Sequence, residues 1–183
     1  YKRFIDDDMY YVDKTMLVDV LNQKNLNVPE FKFVCVSRPR RFGKTIAANM
    51  LAAYYGMGDS RELFADRKIA QCEDWDKYIN HFDVVRVVMT DFIKEDKDVK
   101  QSLDKMTERI LEELSEAYPD VKYDADDLFY SMDKFYRKSD KQFVIIIDEW
   151  DVVFRACKED KDGQKLYLDF LRDWLKDQEY VAL

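Results

Sequence analysis

A chain of 183 residues, 47% hydrophobic and 37% charged, holds enough apolar material for one domain with a full core. Its four glycines and three prolines are too few for a loop-rich all-β protein or a disordered one. The net charge of −8 argues against a domain whose main task is to grip a nucleic-acid backbone.

The three cysteines, Cys35, Cys72 and Cys157, are widely spaced, and with the single histidine His81 they assemble no zinc pattern. Free thiols in a reducing cytoplasm are the expectation. Cys35, inside an apolar run, reads as a small core residue, and His81 as a surface or loop residue. No apolar stretch approaches the length of a membrane span. The chain opens at Tyr1 without an initiator Met, so a missing leader says nothing about targeting.

Along the chain, Met16, Leu17, Val20 and Leu21 are spaced for a short helix that starts near Lys14, with Asp13 as N-cap. Asn22–Pro29 reads as a turn region. The run Phe31–Ser37 favours a buried strand. Arg38–Gly43 is a loop, and Lys44–Tyr55 a helix with Ile46, Ala47, Met50, Leu51 and Tyr54 on one face, stopped by Gly56 and Gly58. Residues 59–81 suit short helices and loops. Phe82–Thr90 holds a second strand. Asp98–Tyr118 carries Val99, Leu103, Met106, Ile110 and Leu114 at amphipathic spacing, ended by Pro119. Ala125–Lys138 is a further helix with Leu128, Met132 and Phe135 on one side. Phe143–Ile147 is a third strand running into Asp148 and Glu149. Gln164–Gln178 is a helix with Tyr167, Phe170, Leu171, Trp174 and Leu175 inward, and Tyr180–Leu183 begins a fourth strand. Apolar strands alternating with helices predict an α/β fold with a mainly parallel sheet covered on both faces. So thin a sheet predicts that the domain continues past Leu183.

Two segments carry chemistry. Arg38-Pro39-Arg40-Arg41-Phe42-Gly43-Lys44-Thr45 lies between a strand and a helix, the setting of a P-loop, although Arg38 stands where that pattern has its first Gly. Gly43 lets the backbone approach phosphates closely. The N–H groups of Gly43, Lys44, Thr45 and Ile46 open a helix and form an anion site. Lys44 is placed to reach the β- and γ-phosphates and Thr45 to bind Mg²⁺. The plainer alternative is a turn with a helix-starting Thr. Arg38, Arg40 and Arg41 suit either added neutralisation of a polyphosphate or ordinary surface charge. At the end of Val144–Ile147, Asp148 is the expected Mg²⁺ ligand and Glu149 the group that polarises an attacking water. The alternative is a strand leaving the core through an acidic turn. Asp151 orients Asp148 or caps a helix.

The segments Tyr10–Thr15, Ser37–Thr45 and Ile145–Asp151 together resemble the predicted AAA-ATPase-like family, in order and spacing and over essentially the whole chain. Arg commonly replaces the first P-loop Gly in that family. The resemblance implies a P-loop NTPase fold of the ASCE, AAA-like kind: a three-layer sandwich whose sensor strand lies between the P-loop strand and the acidic strand. That strand is expected to start near Val181, with its polar residue beyond Leu183. The resemblance also places Tyr11, Val12 and Asp13 near the nucleotide base, and implies ATP and Mg²⁺ as ligands. It brings a C-terminal nuclease-like domain into view as a partner, along with a homo-oligomer.

The function these readings predict is Mg²⁺-dependent ATP binding and hydrolysis, with Lys44 and Glu149 as the catalytic pair, driving an attached domain or an oligomer. The alternatives are a nucleotide-binding scaffold or sensor with little turnover, and an interaction domain with a degenerate site. A cytoplasmic protein that binds neither membrane nor, through this segment, nucleic acid is expected.

Overall fold

The computed structural model describes residues 12–26, 29–37, 39, 41–94 and 98–183. Among them are seven α-helices and a small parallel sheet of two strands, a mixed α/β arrangement. The chain divides into two compact units: 1–86 with 143–146 and 182–183, and 87–142 with 147–181.

The first unit contains helices α1 (Met16–Leu21), α2 (Lys44–Tyr55) and α3 (Arg61–Ala65). A π-helical turn, Asn22–Leu26, continues α1, and a 3₁₀ turn spans Lys68–Gln71. Its core gathers Val18 and Leu21 of α1, Met50, Tyr54 and Tyr55 of α2, and Phe64, Ile69, Ile79, Val144 and Ala182. The two tyrosines bring polar atoms into this core, and each finds a partner. The Tyr55 hydroxyl donates to Asn22 Oδ1 at 2.8 Å, Asn22 Nδ2 donates to the Tyr54 oxygen at 3.1 Å, and the Tyr54 hydroxyl donates to the Trp75 carbonyl at 2.5 Å. Buried hydroxyls so satisfied avoid the cost of desolvation. α2 ends at Gly56 in extended backbone, and Asn80 Nδ2 donates to the Gly56 carbonyl at 2.6 Å.

Strands β1 (Asp83–Val88) and β2 (Phe143–Asp148) pair side by side in the sheet. The C-terminal residues join β2: Ala182 N–H donates to the Phe143 carbonyl and Ile145 N–H to that of Leu183, at 2.9 and 2.8 Å. The strand start expected at Tyr180–Leu183 is seen as these bonds and a bridge residue at Val181. Of three strands and the start of a fourth, two are formed among the described residues.

The missing one is Phe31–Ser37. Phe31 closes a 3₁₀ turn (Pro29–Phe31), residues 32–37 have no assigned secondary structure, and Phe31, Phe33, Val34 and Val36 are 46–62% exposed. Cys35 is likewise exposed, which corrects its reading as a core residue. An apolar run becomes a buried strand only where a neighbouring strand pairs with it and other layers cover it. Here the edge of β2 carries Ala182 and Leu183, and no ladder is assigned to the run.

The second unit is built on α4 (Val99–Ala117), α5 (Leu128–Ser139), α6 (Val152–Ala156) and α7 (Lys161–Leu175). α4 packs on α5 and α7. Three aspartates start the long helices in the same way: Asp98, Asp127 and Asp160 accept the N–H of Gln101, Tyr130 and Gly163. Each satisfies one of the orphan donors of a first turn. These caps explain two shifted boundaries. α5 starts three residues after the expected Ala125, behind Asp127, and α7 starts three before Gln164, behind Asp160. Gly163 is required where it sits, because a Cβ there would meet Val99 Cγ2 at 2.8 Å and the Asp160 carboxylate closer still. α6, five residues long with Val152 and Val153 buried, follows the helix-cap alternative for Asp151 in position, although no side-chain cap bond forms. No helix of the described residues is long and apolar enough to cross a membrane.

Trp174 is fully buried in this unit; its indole N–H points at Met132 Sδ and its carbonyl accepts the Tyr180 hydroxyl. Trp174→Ala is expected to lower the unfolding free energy by about 3–5 kcal/mol, read from urea denaturation, as the cost of a large cavity plus lost burial.

Candidate functional site

Gly43 takes the left-handed backbone at φ +73° and immediately precedes α2. Only glycine holds that conformation without steric cost. The turn brings the chain into the helix so that Gly43 C=O accepts the Ala47 N–H at 3.0 Å, leaving the first N–H groups of α2 without intrahelical partners. Arg41, also left-handed at φ 68°, tightens the same loop. Arg41, Phe42 and Thr45 are exposed, whereas Gly43, Lys44 and Ile46 are half-buried. The helix that follows is twelve residues long, and the aligned peptide dipoles of any such helix leave partial positive charge at its N-terminal end. Arg38, Arg40 and Tyr11 lie outside the described residues.

The segment before α1 is tied down by one carboxylate. Asp13 Oδ1 accepts the Thr15 N–H at 2.8 Å and the Thr15 hydroxyl at 2.7 Å, and Oδ2 accepts the Lys68 N–H at 2.9 Å. The Thr15 oxygen in turn accepts the Ile69 N–H at 3.2 Å. Asp13 thus serves the segment ahead of α1, with Thr15 in the N-cap position. Val12 is exposed. From this anchor Lys14 extends to the loop, and its Nζ donates to the Phe42 carbonyl at 2.5 Å. Sequence spacing gives no hint of this contact, which joins residues 28 apart.

At the end of β2, Asp148 is 8% exposed, and its Oδ1 accepts the Glu149 N–H at 3.0 Å. Glu149 is left-handed at φ 55°, an uncommon conformation for a non-glycine residue that turns the chain sharply off the strand. Its Oε2 lies 2.5 Å from Arg155 Nη2. Asp151 lies in the N-cap position of α6 without a side-chain cap bond; its Oδ2 stands 3.0 Å from Arg155 Nε as an ionic contact. Arg155 therefore gathers two of the acids that follow the strand. It was missed because its spacing from Asp151, one helical turn, carries meaning only once α6 is known to be a helix. The Trp150 carbonyl accepts the Tyr167 hydroxyl at 2.8 Å, which ties this acidic turn to α7.

A magnesium site needs few protein donors, because the ion keeps several waters and takes most of its remaining oxygens from phosphate. Thr45 is exposed and the Asp148 carboxylate nearly buried, each an oxygen donor described within its own unit. Among the described residues, no group of three or more His, Cys, Asp or Glu side chains is arranged to hold a metal.

A family model described as Predicted AAA-ATPase matches residues 1–180, nearly the whole chain. The chain belongs to this predicted AAA-ATPase family. No curated protein and no solved structure matches it.

The Asp13 anchor has a measurable pH signature. Partial burial pushes its carboxyl up, but the hydrogen bonds from Lys68 and Thr15 and the charge of Arg67 outweigh this and hold it below the usual Asp range. A lowered folded-state value stabilises the protein at pH above the usual Asp range, and that contribution is lost as pH falls through the lowered value. Asp13→Ala is expected to cost about 1–2 kcal/mol at neutral pH. The gap from wild type, followed by urea unfolding at stepped pH, narrows in acid.

Proposed function

We propose that this chain binds ATP with Mg²⁺ and hydrolyses it, as a P-loop ATPase domain that acts as a motor or switch for an attached domain or an oligomer. The observation that carries the reading is the left-handed Gly43 turn opening α2 directly into Lys44 and Thr45. Supporting it is the family, whose name is that of an ATPase, though only a predicted one.

In this reading the loop N–H groups and Lys44 hold the β- and γ-phosphates, with Arg38, Arg40 and Arg41 adding positive charge. Mg²⁺ supplies neutralisation of phosphate charge, and the Thr45 hydroxyl and Asp148 carboxylate are the groups that would hold it. Glu149 would accept a hydrogen bond from the attacking water and take its proton as the bond to the γ-phosphorus forms and the bond from that phosphorus to the bridging oxygen of the departing ADP breaks. Tyr11, Val12 and Asp13 are the residues proposed for the base. The fold would be the three-layer P-loop sandwich with the sensor strand beside β2, a position supported by the bonds from Ala182 and to Leu183. A C-terminal nuclease-like domain and a homo-oligomer are the partners proposed, and the cytoplasm the compartment.

Lys44→Ala is expected to weaken ATP binding by about 100-fold or more, measured by titration calorimetry with Mg²⁺. Glu149→Gln keeps binding and stops steady-state phosphate release. Unchanged release in purified Glu149→Gln protein removes Glu149 from the chemistry.

Arg155 favours a second reading, a nucleotide-holding switch with little turnover. Its guanidinium occupies the Glu149 carboxylate that hydrolysis requires. In that case Arg155→Ala raises phosphate release by about two- to fivefold, the factor equivalent to a partly exposed ion pair. A fall in release on the same change returns the assignment to an active ATPase in which Arg155 positions Glu149.

A further inference from the structure

The 12–15 segment does more than begin a helix. Asp13 and Thr15 are joined to each other by two hydrogen bonds at the Asp13 carboxylate, and are fixed against Lys68 and Ile69 by one hydrogen bond each. Between these two anchored residues stands Lys14, whose side chain crosses to the loop at the head of α2. Its ammonium donates to the Phe42 carbonyl, and a Cβ added at Gly43 would stand 2.8 Å from Nζ. A cation is therefore held against the glycine turn by a chain segment that is itself braced.

An ammonium has three N–H donors, and the Phe42 carbonyl takes one of them. A lysine serving only to brace a loop needs no more. A lysine beside the N-terminus of a helix adds a full positive charge to the partial charge of the helix dipole, and the sum favours one kind of ligand, a compact polyanion. Its flexible stem lets the ammonium shift from carbonyl to phosphate oxygen without moving the backbone.

We propose that Lys14 is a second phosphate-contacting lysine of the Gly43–Thr45 loop, which the Asp13–Thr15 anchor presents to the polyphosphate of a bound nucleoside triphosphate. This rests on the nucleotide-binding reading given above. It assigns the 12–15 segment to the phosphates, through Lys14, in addition to its proposed place near the base. It also gives the anchor a purpose: a cation on an untethered segment would lose much of its binding advantage to the entropy of ordering.

The test uses calorimetry with two probes, ATP and inorganic tripolyphosphate, each with Mg²⁺, on wild type, Lys14→Gln and Lys14→Arg. Gln keeps an N–H donor but no charge; Arg keeps the charge. The expected result is a loss of about 10- to 100-fold for both probes in Lys14→Gln, the range of a charge-assisted hydrogen bond. Lys14→Arg stays within about threefold of wild type, and the salt dependence of binding becomes shallower only in Lys14→Gln. Melting temperatures without ligand check that both variants fold. Should Lys14→Gln prove unstable, the tripolyphosphate affinity of Lys14→Met, compared with Lys14→Arg, carries the same contrast. Wild-type affinity for both probes in folded Lys14→Gln overturns the proposal and makes Lys14 a brace for the Phe42 carbonyl. Wild-type protein that binds neither probe overturns the nucleotide reading itself, and this proposal with it. The two failures are distinct because only the second is visible without any variant.

Discussion

Helix α2 is anchored in its unit at the end opposite the Gly43 turn. Tyr54 and Tyr55 are fully buried, meet edge to face at 4.9 Å, and share Asn22 as a hydrogen-bonding partner. Tyr54 packs on Phe64 as well, and its hydroxyl reaches the Trp75 carbonyl. Burial drives the tyrosine hydroxyls' proton affinities upward, so both stay neutral donors at any physiological pH. Two aromatic side chains with every polar atom satisfied make a rigid foot for a helix of twelve residues. The Gly43 turn and Lys44 lie at the other end of this anchored helix.

The same first unit supplies the brace for Lys14. One carboxylate, Asp13, collects three donors, and the 3₁₀ turn Lys68–Gln71 contributes one of them, with a fourth bond from Ile69 to Thr15. Local hydrogen bonding by Asp and Thr competes with helix formation, which is why α1 begins at Met16 and not at Lys14. The shortfall of two residues leaves 12–15 ahead of the helix, so that Lys14 lies outside its regular geometry.

Strain and charge meet at Glu149. The left-handed backbone there costs on the order of 1 kcal/mol, a price met by the packing of the residues around it. The Tyr167 hydroxyl on the Trp150 carbonyl and the buried Val152 and Val153 hold the turn in place. Backbone strain of this kind gathers at functional sites, and Arg155 is the cation that pairs with the Glu149 carboxylate at this one.

The sequence by itself determined every helix whose apolar spacing was sustained: α2 at both ends, and α4, α5 and α7 within a few residues. It also determined the strand that runs into Asp148, because an unbroken β-branched run has few other uses, and it carried the family through three short segments. The fold class was legible at the level of α/β, whereas Phe31–Ser37, as apolar as β2, was not legible as an exposed segment. Whether an apolar run is buried depends on which partners reach it, and that is a property of the whole chain, not of the run. For the same reason only tertiary structure decided that Lys14 meets Phe42 and that Arg155 meets Glu149. Periodicity encodes which face of an element turns inward, whereas a long flexible cation selects its acceptor by where folding has left one.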